Sequence, residues 1–226
     1  MNDPSPIQAG AAAPRPPDPE PPEAARAKIL VVDDNGLSRM KLRMAVKRLG
    51  HEADVVEDGR QALEALAHAP YDAVLLDILM PELDGFDVLA AMKADPNMRD
   101  VPVIVVSDLD DETESVVRAI ELGAEDFLPK MFDPVLLKAR LGACLAKKRF
   151  RDQEREYFGR IARLTEAAEV LESGRFAPEN LALDDLAERN DPIGRLAGVF
   201  RGMAAEIYQR ELRLRRAIQT LQGSFL

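Results

Sequence analysis

The sequence has 226 residues, and its 46% hydrophobic content is enough for one or two packed cores. The formal net charge of −10 argues against a general nucleic-acid binder, because phosphate backbones favour clustered lysine and arginine. One cysteine, Cys144, excludes an internal disulfide, and no apolar run is long enough for a transmembrane helix. With no apolar signal core at the N-terminus either, we expect a cytoplasmic protein that does not contact a membrane.

The chain is predicted to have three parts, namely a tail at 1–27, a domain at 28–148 and a helical segment at 149–226. The tail holds eight of the sixteen prolines, and we expect it to be disordered because it cannot bury enough apolar surface to offset the entropy of ordering. A partner-binding role for this tail is the less favoured alternative to a solubilising extension.

In the second part, short apolar runs alternate with segments of helical periodicity, which predicts an α/β fold with a doubly wound five-stranded parallel sheet. The strand runs are continuously apolar, as is typical of strands that are covered on both faces. The predicted strands are 29–32, 53–56, 73–76, 103–106 and 125–128, and the predicted helices are 38–49, 60–67, 85–93, 112–122 and a helix from Pro134 past Cys144.

Polar residues follow four of these strands. Asp33 and Asp34 come after the first strand, Asp77 after the third, Ser107 after the fourth and Lys130 after the fifth. The carboxyl ends of parallel strands meet at one edge of the sheet, where sites in such folds lie. Each residue alone is as well explained as a helix cap, a turn former or a surface group. Their joint placement favours a site in which carboxylates bind Mg²⁺ and an aspartate acts as a nucleophile towards phosphorus.

The stretches that carry these residues resemble the receiver domain of bacterial response regulators, over residues 28–148. The matching motifs are Ile29–Asn35, Leu75–Pro81 with the Asp84-Gly85 pair, Val103–Ser107 and Gly123–Lys130. The resemblance implies a flavodoxin-like fold and a protein of a two-component phosphorelay. The implied phosphodonor is a sensor histidine kinase or a phosphotransfer protein.

The resemblance also implies roles for the residues of the site. Asp77 would be the phosphoacceptor, and Asp33 and Asp34 would bind Mg²⁺ together with Asp77 and the backbone carbonyl of Leu79. The only chemistry expected is self-catalysed phosphorylation and dephosphorylation, so the chain is not predicted to be an enzyme. An aspartyl phosphatase is disfavoured, because such enzymes normally carry an acid–base aspartate two residues after the nucleophile, where this chain has Leu79.

By the same resemblance, Ser107 and Phe127 would be the switch residues and Lys130 would pair with the phosphate. Two neighbouring positions depart from the commonest pattern. Asp108 follows Ser107 where a small residue is usual, and its carboxylate could repel an incoming phosphodonor. Met131 replaces the proline that usually follows the lysine, which removes the residue that favours a cis bond at this point.

Apolar residues at heptad spacing in the third part predict two helices, which are joined by a hydrophobic connector that begins at Gly174. It resembles a HAMP signalling module, on Gly174, the Asp191–Gly194 segment, Phe200 and Met203. We expect a dimeric helical bundle, and the alternative is a helical extension that only dimerises the receiver. The predicted seams are Tyr157, Ile161, Leu164, Ala168 and Leu171 in the first helix, and Ile193, Leu196, Phe200, Met203 and Ile207 in the second.

Together these parts predict a response regulator that is switched by phosphorylation and that transmits the change through its dimeric C-terminal helices. Two alternatives remain open: a phosphate sink or adaptor that binds a partner, and a regulatory fragment of a longer signalling enzyme. We expect no nucleic acid as a partner, because the arginines at 210–216 alternate with glutamates on one helix. His51 and His68 lack the flanking pattern of a phosphodonor histidine.

Overall fold

The structure is a computed structural model that describes residues 26–108, 112–172 and 181–223. The chain divides into two compact units, 1–148 and 149–226. Most of the predicted N-terminal tail, and the predicted helix end at Gly174, lie outside the described residues. None of the helices in the described ranges has the length and apolar character needed to span a bilayer.

The first unit alternates strands and helices along the chain. Its last helix begins in this unit and ends in the second one. The elements are β1 (Lys28–Val32), α1 (Gly36–Arg48), β2 (Glu52–Val56), α2 (Gly59–His68), β3 (Ala73–Asp77), α3 (Gly85–Ala94), β4 (Val103–Ser107), α4 (Glu112–Glu121), β5 (Asp126–Pro129) and α5 (Pro134–Glu172).

The five strands form one parallel sheet in the order β2-β1-β3-β4-β5, which confirms the predicted fold class. Every residue of β3 and β4 is buried, as expected for strands with helices on both faces. Successive side chains of a strand pack into two separate cores on opposite faces of the sheet, as Leu30 and Ile29 do. Each such fully buried aliphatic side chain stabilises the fold by roughly 1.5–3 kcal/mol.

Side-chain caps fix where the helices begin. The Asn35 side chain accepts hydrogen bonds from the backbone N–H groups of Leu37 and Ser38 at the start of α1. Asp84 does the same for Asp87 at the start of α3, as its position in the sequence predicts. Both caps directly follow a loop that leaves the carboxyl edge of the sheet, so they also fix the course of those loops.

The second unit contains the later part of α5, a short helix α6 (Asp184–Ala187) that the sequence did not predict, and α7 (Pro192–Gly223). Its core differs in part from the predicted seams. Ala197 and Ala204 are fully buried, whereas Leu196 and Met203 are about half exposed. The buried set of this core comprises Leu164, Ala167, Leu181, Leu183, Leu186, Ile193, Ala197 and Ala204.

Two contacts at Gly194 shape the turn into α7. The Asp191 side chain accepts a hydrogen bond from the Gly194 backbone N–H at 2.8 Å. A Cβ atom on Gly194 would lie 2.1 Å from the carbonyl oxygen of Arg189 and 2.8 Å from that of Leu186. The close approach of α6, and of the loop after it, to the first turn of α7 therefore requires glycine at this position.

Candidate functional site

The predicted site residues lie at the carboxyl edge of the sheet, except Phe127, which is the second residue of β5. Asp33 directly follows β1, Asp77 is the last residue of β3, Ser107 is the last residue of β4 and Lys130 directly follows β5. Hydrogen bonds between strand ends hold this edge together: the Lys130 backbone N–H donates to the Ser107 carbonyl at 2.8 Å.

Three carboxylates form the centre of the site. Oxygen atoms of Asp33, Asp34 and Asp77 lie within 4.8 Å of one another. Asp33 and Asp77 are fully buried, whereas Asp34 is exposed to solvent. Burial raises the pKa of Asp77, and the charge of Asp33 raises it further, against the opposing effects of Lys130 and the Leu79 backbone N–H. The cluster is therefore electrostatically costly without a cation.

Lys130 supplies one positive charge to this cluster. Its Nζ donates a hydrogen bond to Asp77 Oδ2 at 2.7 Å. Burial alone lowers the pKa of Lys130, but the hydrogen bond and charge of Asp77 outweigh it, so the pKa is raised and the ammonium stays charged. The Lys130 main chain is held in turn by Lys41 of α1, whose Nζ donates to the Lys130 carbonyl at 2.9 Å and lies over the Phe132 ring.

The loop after β1 orients Asp33. The Asn35 backbone N–H donates to Asp33 Oδ1 at 2.8 Å, and the Ser38 hydroxyl donates to Asp33 Oδ2. Arg39 donates from Nη1 to the main-chain carbonyls of Asp33 and Asp34. Ser38 and Arg39 were not among the residues predicted from the sequence, although a hydroxyl and a guanidinium in the helical turn after an acidic pair are groups able to reach it.

The loop after β3 approaches Asp77 closely. The Leu79 backbone N–H donates to Asp77 Oδ1 at 3.3 Å, and the Leu79 side chain is 58% exposed. At the far end of this loop, the Gly85 backbone N–H donates to the Ile78 carbonyl at 2.9 Å. A Cβ atom on Gly85 would lie 2.2 Å from the Asp77 carbonyl oxygen, so only glycine allows α3 to begin this close to Asp77.

The two predicted switch residues do not contact the carboxylates directly. The Ser107 hydroxyl donates to the Asp108 carbonyl at 3.2 Å rather than to Asp77. Phe127 is partly buried, with the Arg140 guanidinium 4.5 Å from its ring centroid. The described residues contain no cis peptide bond, so Lys130 and Met131 are joined by a trans bond.

These residues fit a magnesium ion. Mg²⁺ prefers hard oxygen ligands and usually keeps several waters beside one or two carboxylates. The cluster offers carboxylate oxygens from three aspartates, one of them open to solvent. A divalent cation here would also offset the repulsion between the two buried carboxylates.

Comparisons with known proteins agree with this geometry. The family profile described as "Response regulator receiver domain" matches residues 29–142. Response regulator MprA of Mycolicibacterium vanbaalenii is 38% identical over 120 residues, covering 53% of this chain and 51% of the relative. Transcriptional regulatory protein QseB of Haemophilus influenzae is 36% identical over 121 residues, covering 54% of this chain and 53% of the relative. The chain thus spans about half the length of these relatives.

Solved structures show the same fold. A putative response regulator from Chloroflexus aurantiacus superposes with a TM-score of 0.52 at 26% identity, covering 54% of this chain and 98% of that one. The receiver domain of sensor histidine kinase PA1611 from Pseudomonas aeruginosa, described with a magnesium ion in its active-site cleft, gives a TM-score of 0.50 at 29% identity, covering 54% and 99%. With its sheet order, its acidic edge and a family match over half its length, the chain belongs to the response regulator receiver family of two-component signalling.

Proposed function

We propose that this chain accepts a phosphoryl group on Asp77 from a sensor histidine kinase or a phosphotransfer protein, in a Mg²⁺-dependent reaction. The observation that carries the proposal is the joint placement of three carboxylates within 4.8 Å and of the Lys130 ammonium 2.7 Å from Asp77 Oδ2. Histidine kinases are the partners of response regulator receivers as a family.

Each residue has a defined part in the transfer. Asp33, Asp34, Asp77 and the backbone carbonyl of Leu79 would hold Mg²⁺, which would neutralise charge on the transferring group. An Asp77 carboxylate oxygen forms the new bond to phosphorus while the bond from phosphorus to the donor histidine nitrogen breaks. In the unphosphorylated protein, Lys130 donates its hydrogen bond to Asp77. After the transfer, Lys130 would pair with the phosphoryl oxygens.

The proposed switch runs through Ser107 and Phe127. The Ser107 hydroxyl would leave the Asp108 carbonyl and donate to the phosphoryl group, since a charged oxygen is a stronger acceptor than a neutral carbonyl. The space vacated by Ser107 would let Phe127 turn inward, and that movement would change the surface around β5 and α5.

The chemistry is proposed to stop at this self-catalysed transfer. A phosphatase that turns over an external ester needs an acid–base group near the nucleophile. Leu79 places an exposed aliphatic side chain at the position where aspartyl phosphatases carry theirs.

The second unit is proposed to transmit the switch as a HAMP-like dimer. Apolar side chains on α7 that this unit leaves about half exposed recur at spacings of three, four and seven residues, as in a coiled-coil seam. A second copy of the chain would cover this stripe, and the Gly194 contacts described above would fix the turn that leads into it. The stripe consists of Leu196, Val199, Met203, Ile207, Leu214 and Ile218.

An adaptor function is the second candidate, and a groove beside the site favours it. The groove has a volume of about 390 Å³ and lies between α1 and the start of α5, with Leu37, Met40, Met44 and Phe132 among its lining residues. Leu37 is 82% exposed, which is unusual for a large aliphatic side chain next to other apolar groups. A partner that binds there irrespective of phosphorylation would make the chain a phosphate sink or adaptor.

Nucleic-acid binding remains outside these proposals. QseB is named a transcriptional regulatory protein, but the chain covers only about half of it. The arginines near the end of α7 are exposed, and Arg215 pairs with Glu211 at 3.3 Å. That the chain has no nucleic-acid partner therefore stays a prediction.

Intact-mass measurement after incubation with acetyl phosphate and Mg²⁺ tests the phosphoacceptor. We expect a labile gain of one phosphoryl group in the wild type and none in Asp77→Asn. If the wild type gains nothing, Asp108→Ala shows whether the Asp108 carboxylate repels the small anionic donor. A histidine kinase panel then tests protein donors, and failure with all of them would refute the proposal.

A further inference from the structure

Arg39 is the one side chain on α1 that binds the main chain of both acidic residues after β1. Its Nη1 donates to the Asp33 carbonyl at 2.7 Å and to the Asp34 carbonyl at 2.8 Å. Its Nη2 lies 3.6 Å from Glu57 Oε2 in the loop after β2, so the guanidinium spans two loops at the carboxyl edge. Only 20% of the Arg39 side chain is exposed.

These contacts matter most for Asp34. The Asp33 carboxylate is already oriented by Asn35 and Ser38, as described above. No described residue donates a hydrogen bond to the Asp34 carboxylate, which is exposed to solvent. Its direction therefore depends on the backbone that carries it.

The backbone around Asp34 is fixed by Arg39 from both sides. The carbonyl of Asp33 belongs to the peptide plane before the Asp34 Cα atom, and the carbonyl of Asp34 belongs to the plane after it. A peptide unit is rigid, so holding both carbonyls leaves little freedom in the two dihedral angles at this Cα. Those angles fix the direction of the Asp34 Cα–Cβ bond, and with it the positions that the carboxylate can reach in its staggered side-chain rotamers.

We propose that Arg39 is a positioning residue for the metal site, which aims the Asp34 carboxylate by holding the peptide planes on either side of it. This inference rests on the proposed magnesium site. It assigns Arg39 no contact with the metal, the phosphoryl group or the phosphodonor.

Replacing Arg39 removes a positive charge and also releases the Asp34 main chain, and these two changes should affect the Mg²⁺ affinity in opposite directions. Removal of a positive charge near three carboxylates would by itself strengthen the binding of a cation. Loss of position would weaken it, and residues that orient metal ligands typically contribute 10–100-fold to metal affinity. The sign of the change in Mg²⁺ affinity therefore separates the two effects.

The test is a titration of the full chain with Mg²⁺ alone. Binding is measured by calorimetry and by backbone amide chemical shifts, because the sequence has no tryptophan to report binding by fluorescence. We expect Arg39→Ala to weaken binding by about tenfold. Arg43→Ala is the matched control, because Arg43 is an exposed arginine one turn later on α1. It removes the same charge and should leave the affinity unchanged or slightly stronger.

Two further variants separate positioning from a general loss of structure. Arg39→Lys keeps the charge but not the fork that reaches both loops, so it should retain only part of the affinity. In an Asp34→Ala background, Arg39→Ala should weaken binding little further, because the ligand that Arg39 aims is already gone.

Mg²⁺ affinity that is unchanged or stronger in Arg39→Ala would overturn the inference, as would full additivity of the two alanine variants. If Arg39→Ala does not fold, wild-type affinity in Arg39→Lys would overturn it instead. The proposed function is judged separately, by mass gain at Asp77 under saturating Mg²⁺. A wild type that binds Mg²⁺ but takes no phosphoryl group would refute that function and leave the Arg39 result standing.

Discussion

Gly85 offers the sharpest test of how the fold builds the site. Replacing it with alanine would put a Cβ atom 2.2 Å from the Asp77 carbonyl oxygen and 2.7 Å from the Ile78 Cα atom. The first turn of α3 would have to move away from β3 by about 1.2 Å, from 2.2 Å to the 3.4 Å at which ordinary van der Waals contact begins. Both atoms belong to the main chain, so no side-chain rotation can relieve the overlap.

Two opposing contributions decide the change in stability. Replacing glycine with alanine reduces the entropy of the unfolded chain and stabilises by about 0.4–1 kcal/mol where the backbone is compatible. Overpacking a buried site costs about 1–3 kcal/mol, and a clash with the main chain belongs at the upper end of that range. We therefore expect Gly85→Ala to lower the free energy of unfolding by about 2 kcal/mol. It should also slow phosphorylation, because the added Cβ atom clashes with the main chain that carries Asp77.

Gly142→Ala is the matched control, because Gly142 lies in α5 and a Cβ atom added there would meet no atom within 4 Å. It should stabilise the protein by up to about 1 kcal/mol through helix propensity. Urea unfolding followed by circular dichroism, with amide exchange in β3 reporting on the first unit, measures both effects. Equal stability and equal phosphorylation of Gly85→Ala and wild type would refute the close approach of α3 to Asp77.

Two other predictions concern the second unit and the response to acid. Met203→Asp places a charge in the exposed stripe of α7 and should weaken self-association by roughly 1–3 kcal/mol per copy. Gln209→Asp, on another face of α7, should not, and analytical ultracentrifugation that finds the two variants equal would exclude the proposed dimer surface. The hydrogen bond from Lys28 holds the pKa of Asp54 below its ordinary value of 3.8. The stability that Asp54 contributes is therefore complete above pH 3.8 and is lost as the pH falls through the lowered pKa. Unfolding curves of the wild type and Asp54→Ala should converge in that acid range, and a constant difference would contradict this account.

The sheet and its acidic edge could be predicted because their signals are local in the sequence. Apolar runs such as Ile29–Val32 are too short for helices and too uniform for a half-exposed strand, so burial on both faces follows. A parallel sheet then places Asp33 and Asp77 at the same edge, because the carboxyl ends of its strands meet there. That β1 and β3 are neighbours was not predicted and comes from the structure. The contacts of Arg39 could not be predicted in this way, because a flexible side chain can reach several partners and the sequence does not choose among them.

The seam of the second unit shows a different limit. Heptad spacing predicts which side chains share the apolar face of α7. That face is broad, and spacing alone does not say which of its two sides packs inside the unit and which stays exposed. The structure buries Ala197 and Ala204 within the unit and leaves Leu196 and Met203 about half exposed. Alanine carries little hydropathic signal, yet its small side chain permits the closest packing, so the flank with alanines forms the internal contact.

The charges at the carboxyl edge would link the proposed phosphorylation of Asp77 to cation binding. Three carboxylates cluster beside the Lys130 ammonium, and an acyl phosphate on Asp77 would add further negative charge. A cation bound there would favour the proposed phosphorylated form, and by reciprocity phosphorylation would raise the affinity for that cation by the same factor. Removal of a residue that acts only by aiming a metal ligand, as proposed for Arg39, would therefore lower the extent of phosphorylation when Mg²⁺ is limiting. That effect disappears when Mg²⁺ is saturating, whereas loss of Asp77 abolishes phosphorylation at every Mg²⁺ concentration.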